Sequence, residues 1–262
     1  MNCSVFIPVT ERNLPTVPTV VERIKEKLDT DNIVIVGNTC INERVSNLNC
    51  HFIEEDSLCE GLNIGRIKKL LALRDRFAEK RAGWYFQQFL KMSYANVCSD
   101  DEYLVWDADT IPLKHIKMHN EQGRPYFDVK EEYHWPYFST MKKIFNKRIV
   151  RPGFSFISEH MLINSAYMKD LIKVIMDNEN LCGDTFFEKI LDAVNDIDLI
   201  GSGFSEFETY GNYVYMTHPE AYVMRKLKSY RKGGLMAKNE QDIENIIRNL
   251  DHEYDILTIE NR

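Results

Sequence analysis

Residues 101–112 read Asp-Glu-Tyr-Leu-Val-Trp-Asp-Ala-Asp-Thr-Ile-Pro. A short apolar run, Tyr103 to Trp106, delivers two carboxylates, Asp107 and Asp109, at its C-terminal end, and Thr-Ile-Pro stops the strand. Ligands of open α/β sheets bind just beyond the carboxyl ends of the strands. Two carboxylates one residue apart at such an end make a hard oxygen site for a divalent cation, which in turn holds a diphosphate. The competing reading is a solvated turn with Asp caps. The preceding βαβ pattern favours the cation.

That pattern is what must position the two carboxylates. Ser4 to Pro8 is a β-type run ended by proline, and Pro15 to Leu28 has helical spacing. Asn32 to Val36 is a second buried-strand run, and Cys50 to Ile53 a candidate third. Helical stretches follow over 64–82 and 83–97, and then the acidic strand. The alternation predicts an α/β fold with a Rossmann-like nucleotide half, about 1–112, and a mostly parallel central sheet. The second half, about 113–262, is less regular. It reads as loop and short strand over 121–139, strand or hairpin over 154–163, helices over 166–176, 185–194 and 206–213, and an amphipathic helical tail over 239–250. No linker, repeat or low-complexity tract divides the chain, so one domain with a nucleotide half and an acceptor half is expected.

Composition narrows the class. The chain has 262 residues, 44% apolar and 28% charged, with a net charge of −7. That balance argues against a nucleic-acid partner. The N-terminus lacks the basic and apolar regions of a secretory signal, and no window reaches the length of a membrane span. Six scattered cysteines without a CxxC pair read as free buried thiols of a reducing cytosol. The expected setting is cytoplasmic.

Residues 105–113, Val-Trp-Asp-Ala-Asp-Thr-Ile-Pro-Leu, resemble the Asp-x-Asp motif of glycosyltransferases with the GT-A fold. Residues 81–95 and 204–214 resemble segments of a group of bacterial surface-polysaccharide glycosyltransferases within that fold, and the resemblance extends over roughly 3–225. It implies transfer of a sugar from a nucleoside-diphosphate-sugar donor to a saccharide or lipid-linked saccharide acceptor, with Mn²⁺ or Mg²⁺ stabilising the leaving diphosphate. Asp109 is then the first choice for direct coordination. Asp107 lies nearer the ribose or reaches the metal through water. His218, in Tyr-Met-Thr-His-Pro, is a candidate third ligand or a loop histidine, and His160 is its competitor.

An inverting transfer needs a carboxylate base near the acceptor hydroxyl, whereas a retaining one does not. Ser205 with Glu208 forms a capping-box pattern, which gives Glu208 a structural role and leaves Glu206 for the pocket. Asp184 is a third candidate, or an N-cap.

On the helix before the acidic strand, Trp84, Gln88 and Lys91 share one face, with Gln87 beside it. The amides could meet a base or ribose edge, and Lys91 or Arg81 a phosphate. Arg66 is a weaker phosphate candidate, and Thr10 sits where the nucleotide site of such a sheet begins. The aromatic stretch Tyr126–Phe138 reads as an acceptor platform or as ordinary packing. The basic stretch Arg225–Lys232 reads as a solvated loop, a flap over the diphosphate, or a peripheral contact with anionic lipid. The rival enzyme is a sugar-phosphate nucleotidyltransferase, which the glycine-free loop after the first strand disfavours. The non-enzyme rival is a nucleotide- or sugar-binding module without turnover.

Overall fold

In the computed structural model, which describes residues 3–147, 149, 151–236 and 240–259, the chain begins with alternating strands and helices. These are β1 (Ser4–Pro8), α1 (Val17–Leu28), β2 (Ile33–Gly37), α2 (Asn42–Val45), β3 (His51–Glu54), α3 (Ile64–Arg74), α4 (Ala82–Ser93) and β4 (Glu102–Trp106). Next come β5 (Thr110–Pro112), β6 (Tyr126–Asp128), α5 (Trp135–Ile144), β7 (His160–Asn164), α6 (Ser165–Met176), α7 (Phe186–Ala193) and α8 (Asp196–Leu199). The last elements are α9 (Glu206–Thr217), β8 (Val223–Arg225), β9 (Ser229–Tyr230), α10 (Glu240–Leu250) and β10 (Ile256–Thr258).

The central sheet has the order β3-β2-β1-β4-β7. The first four strands are parallel, and β7 adds antiparallel to β4 at the edge. The fold is therefore mixed α/β around a mostly parallel sheet. Both faces of that sheet are covered, which explains why β1, β2 and β4 read as unbroken apolar runs. Side chains alternate across a strand. Phe6, Val34, Val36 and Val105 accordingly enter one core, and Val5, Ile7, Ile35 and Trp106 the other.

Helix α1 buries Val17, Val20, Val21, Ile24 and Leu28, one stripe at helical spacing, and ends where Asp29 adopts φ 50°. It packs in the second core with Ile243, Ile246 and Ile247 of α10. Helices α4, α5, α7 and α9 bury their apolar faces in the first core. Helices of both sequence halves thus share one core, so α9 is fixed against α4.

Two expected elements differ from the structure and the start of a third lies outside the described residues; of the six cysteines expected to be buried, only Cys3 is, the others being half-buried or exposed. The helix expected over 64–82 stops at Arg74, because Asp75 takes extended backbone, and a short 3-10 turn covers Ala78–Arg81. The strand expected over 154–163 is confined to His160–Asn164. Asn239, where the tail helix was expected to begin, lies outside the described residues.

Candidate active site at the carboxyl end of β4

The register of β4 against β7 sets Trp106 opposite His160. The next residues outward are Asp107 and Glu159, and the Asp107 N–H donates to the Glu159 carbonyl at 3.0 Å. Thr110 N–H donates to the Asp107 carbonyl at 3.0 Å, closing a tight turn over the acidic triplet. The Thr16 hydroxyl donates to the Ala108 carbonyl at 3.2 Å, and Ile259 N–H to the Asp109 carbonyl at 2.8 Å. The turn backbone is thereby held by β7, by the start of α1 and by the C-terminal strand. The side chains of Asp107 and Asp109 remain partly exposed.

Lys91, two residues before the end of α4, is 3% exposed. Its ammonium lies 2.8 Å from Asp107 Oδ1 and 2.8 Å from Glu206 Oε1. Burial alone would lower the lysine, but the two carboxylates outweigh it and hold it above its ordinary value. Glu206 is the first residue of α9. Its N–H donates to Gln88 Oε1 at 3.1 Å, and Gln88 Nε2 donates to the Trp84 carbonyl at 3.2 Å. A helix N-terminus favours the negative charge placed there. Helix α4 therefore positions both the cation and, through Gln88, the acidic start of α9.

A cleft of about 120 Å³ opens beside this trio, lined among others by Trp84, Gln87, Tyr137 and Ser158. Burial, with Glu206 adding to it, pushes the Tyr137 phenol up to about 12. The Ser158 hydroxyl is buried with no hydrogen-bond partner among the described residues. Tyr137 belongs to the aromatic stretch read as an acceptor platform or as packing, whereas Ser158 was missed in the sequence. Ser158 had one usable signal, since an antiparallel edge strand beginning at His160 must bring it beside the acidic turn.

A larger cavity of about 870 Å³, beside Cys3, Glu102 and Lys169, lies at the opposite, amino end of β4. Ligands of such sheets bind at the carboxyl edge.

Of the other residues expected in the site, several are placed elsewhere. His218 caps the far end of α9, about 18 Å along the helix from Glu206 at 1.5 Å per residue. Its ring stacks on Tyr167 at 4.1 Å. This corrects its assignment as a metal ligand. Asp184 is exposed and donates its N–H to Glu188 Oε2 at 2.9 Å, and the N-cap of α7 is its neighbour Thr185. Glu208 is fully buried, accepting from Ser155 Oγ at 2.6 Å, Phe156 N at 2.9 Å and Asn212 Nδ2 at 3.0 Å. Burial raises its carboxyl in spite of these donors. Ser205 does cap α9 by accepting Glu208 N–H at 3.2 Å, but the Glu208 side chain turns into the core and does not complete the box.

Arg66 is bound to Glu188 at 2.7 Å, where it supports the capping box of α7. Arg81 donates to the Gly201 carbonyl at 2.8 Å and lies over the Trp84 ring at 4.7 Å. Thr10 is exposed at the end of β1, with its hydroxyl on Asn13 Oδ1 at 2.7 Å. The Gln88 amide lines the cleft but is spent on Glu206 and Trp84, which corrects its expected contact with a base or ribose. Lys91 meets carboxylates where a phosphate was expected.

The basic stretch after β8 is also largely neutralised. Arg225 grips Asp128 through Nε and Nη2, both at 2.7 Å, and Lys226 pairs with Glu131 at 2.7 Å. Arg231 bonds Glu159 and Glu132. Glu159 is buried, yet Lys130 and Arg231 hold its carboxyl below the ordinary value against the desolvation that would raise it. His160, competitor of His218, stacks on Trp106 and bonds Asp128 through Nε2 at 2.9 Å. It is a packed member of the layer under the turn. In the aromatic stretch, Phe127 is stacked on Tyr222 at 3.7 Å inside the core, whereas Trp135 is exposed.

Among the described residues, no group of three histidine, cysteine or carboxylate side chains could hold a metal ion by itself. The donors the turn does offer are two carboxylates. That set suits Mg²⁺ or Mn²⁺, which bind through one or two carboxylates and complete their shells with phosphate oxygens and water.

No family model and no curated protein matches the chain. In structure it is similar to mouse xyloside xylosyltransferase 1 in its apo form, at 10% identity and TM-score 0.42, over 98% of this chain and 96% of that one. It is similar to the galactosyltransferase LgtC in complex with donor and acceptor sugar analogues, at 11% identity and TM-score 0.46, over 97% and 86%. It is also similar to the apo form of the glycosyltransferase GlyE of Streptococcus pneumoniae TIGR4, at 11% identity and TM-score 0.42, over 99% and 55%. What the site can do is decided by its own residues.

Proposed function

We propose that the chain is a single catalytic unit, a metal-dependent glycosyltransferase. It moves a sugar from a nucleoside-diphosphate-sugar to a hydroxyl of a bacterial surface saccharide or lipid-linked saccharide. The observation that carries the reading is the conjunction at the carboxyl end of β4. A fixed acidic turn stands beside a cleft whose floor is a buried lysine paired with a second carboxylate, Glu206. The bacterial acceptor class rests on the sequence resemblance of residues 81–95 and 204–214.

Asp109 and Asp107 would hold the cation, which when bound would supply Lewis-acid stabilisation to the departing diphosphate. The cleft is smaller than the roughly 300–1,000 Å³ of a typical ligand site, so it receives the reacting sugar end. The nucleotide lies along the open rim, between the acidic turn and the end of β1. Glu206 is the base: its carboxylate lines the cleft, paired with Lys91, and takes the proton of an acceptor hydroxyl. As Glu206 is neutralised, Lys91 retains its second partner, Asp107, so no unpaired charge is left buried. Trp84 and Tyr137 present ring surfaces at the cleft mouth suited to a sugar face.

The test is release of nucleoside diphosphate from a panel of nucleoside-diphosphate sugars, with Mn²⁺ or with a chelator. Release from one donor that needs Mn²⁺ is expected. No release from any donor, or release indifferent to the chelator, contradicts the proposal.

A further inference from the structure

Residues 66–81 read Arg-Ile-Lys-Lys-Leu-Leu-Ala-Leu-Arg-Asp-Arg-Phe-Ala-Glu-Lys-Arg. The stretch holds seven cations and two carboxylates, in a chain whose net charge is −7. Ile67 and Leu71 turn into the core. Lys68, Lys69, Arg76 and Lys80 are exposed, as are Leu73 (76%) and Phe77 (54%). Among the described residues none of these four cations forms an ion pair. Asp75 is turned to the backbone, its Oδ1 accepting Phe77 N–H at 2.7 Å.

Two other arginines tie a second segment alongside. Arg74 Nε donates to Asp196 Oδ1 at 2.9 Å, and Arg81 Nε to the Gly201 carbonyl at 2.8 Å. Between those ties stand Ile197, 80% exposed, and Ile200, 49% exposed. The carboxylates of this second segment are engaged locally. Asp192 accepts from Cys182 N–H at 2.9 Å, Asp198 from Asn195 Nδ2 at 2.9 Å, and Asp196 holds Arg74.

We propose that this face docks on an anionic lipid bilayer. Four large apolar side chains project from it and would enter the interfacial layer, while the unpaired cations beside them meet the headgroups. Charge complementarity selects this occupant. The remainder of the chain is more acidic still than the whole, so an anionic surface attracts this face and repels the others. A second copy of the chain fits poorly, because a two-fold interface would set this cationic patch against the same patch of the other copy. The membrane contact expected for the stretch after β8 is thereby moved to residues 68–80, where Lys68, Lys69, Arg76 and Lys80 form no ion pair among the described residues, with the exposed isoleucines of the neighbouring 197–200 segment beside them. Arg81 also lies over Trp84 at the cleft, so the docked face adjoins the cleft mouth. Docking stands apart from the transferase reading, since its test reads no turnover.

The experiment is co-sedimentation with vesicles of phosphatidylcholine alone and of equimolar phosphatidylcholine and phosphatidylglycerol. The chain is expected to pellet with the mixed vesicles and not the neutral ones, and to be released by added salt. Lys68→Glu/Lys69→Glu, and separately Leu73→Ser/Phe77→Ser, should each weaken sedimentation about tenfold or more. The thermal transition should be unchanged, because all four side chains are exposed. Equal binding to both vesicle types, no binding, or wild-type binding by both variants overturns the proposal. So does a concentration-dependent dimer that Leu73→Ser/Phe77→Ser abolishes, which would assign the face to a second copy.

Discussion

Lys91 Nζ and Glu206 Oε1 lie 2.8 Å apart, both almost fully buried, and the same ammonium reaches Asp107 at 2.8 Å. One cation thus joins the acidic strand end to the start of α9. Removing it leaves a buried carboxylate without a partner, which typically costs about 3–5 kcal/mol. Lys91→Met should therefore destabilise by that order in urea unfolding. Adding Glu206→Gln should recover part of the loss, because a neutral amide no longer needs the ammonium. Independent, additive losses would show that the pair is not coupled.

Glu206→Gln alone keeps the shape of the side chain and removes its basicity. With Glu206 as the base, kcat should fall about 10²–10⁴-fold with KM nearly unchanged. Asp184→Asn, on an exposed loop, and His218→Ala, at the far end of α9, should leave kcat within about twofold of wild type. Steady-state kinetics of the three variants distinguishes the cleft carboxylate from Asp184 and His218, which the fold sets apart from the cleft.

Asp128 ties the layer beneath the turn to β8 through Arg225 and His160. Burial would raise its carboxyl, but these partners hold it at about 2, against an ordinary 3.8. A depressed carboxyl contributes stability that is full above the unfolded value and lost as pH falls through the folded one. Acid unfolding should therefore include a step between about pH 4 and pH 2 worth on the order of 2 kcal/mol. Asp128→Asn should flatten the pH dependence of the urea midpoint in that window, and an unchanged slope there would rule out this carboxylate as its source.

Gly211 lies in α9 where a Cβ would come within 2.2 Å of the Phe156 ring, itself fully buried. Helix propensity favours alanine over glycine by about 1 kcal/mol, whereas overpacking a closed core costs about 1–3 kcal/mol. Overpacking should win, since Phe156 has no exposed side toward which to move. Gly211→Ala is expected to lower the melting temperature by several degrees. A rise would mean that the ring can give way.

Much of the frame was legible because it obeys local rules. The runs in β1, β2 and β4 announce strands buried on both faces. The acidic turn follows from its place after β4, and Ser205 was recognisable as the cap of α9. The site's partners were harder to read. Lys91 looks like a phosphate ligand until α9 is packed against α4, and nothing local connects it to Glu206. Glu208 shows the same limit, since its cap pattern is genuine but tertiary donors from Ser155, Phe156 and Asn212 claim its side chain. His218 looked plausible as a ligand only while the length of α9 was unknown. The short pairing of β5 with β10 depends on register between distant segments, which hydrophobic periodicity does not encode.

The central claim is that Asp107 and Asp109 grip a cation carrying a diphosphate. The most direct measurement is the thermal shift produced by nucleoside diphosphates with Mn²⁺ in the wild type and in Asp109→Ala. A bound diphosphate should raise the wild-type melting temperature by mass action. Asp109→Ala should melt as the free wild type does and lose that rise. A shift that survives in Asp109→Ala, or the absence of any Mn²⁺-dependent shift across the common nucleoside diphosphates, would contradict the account.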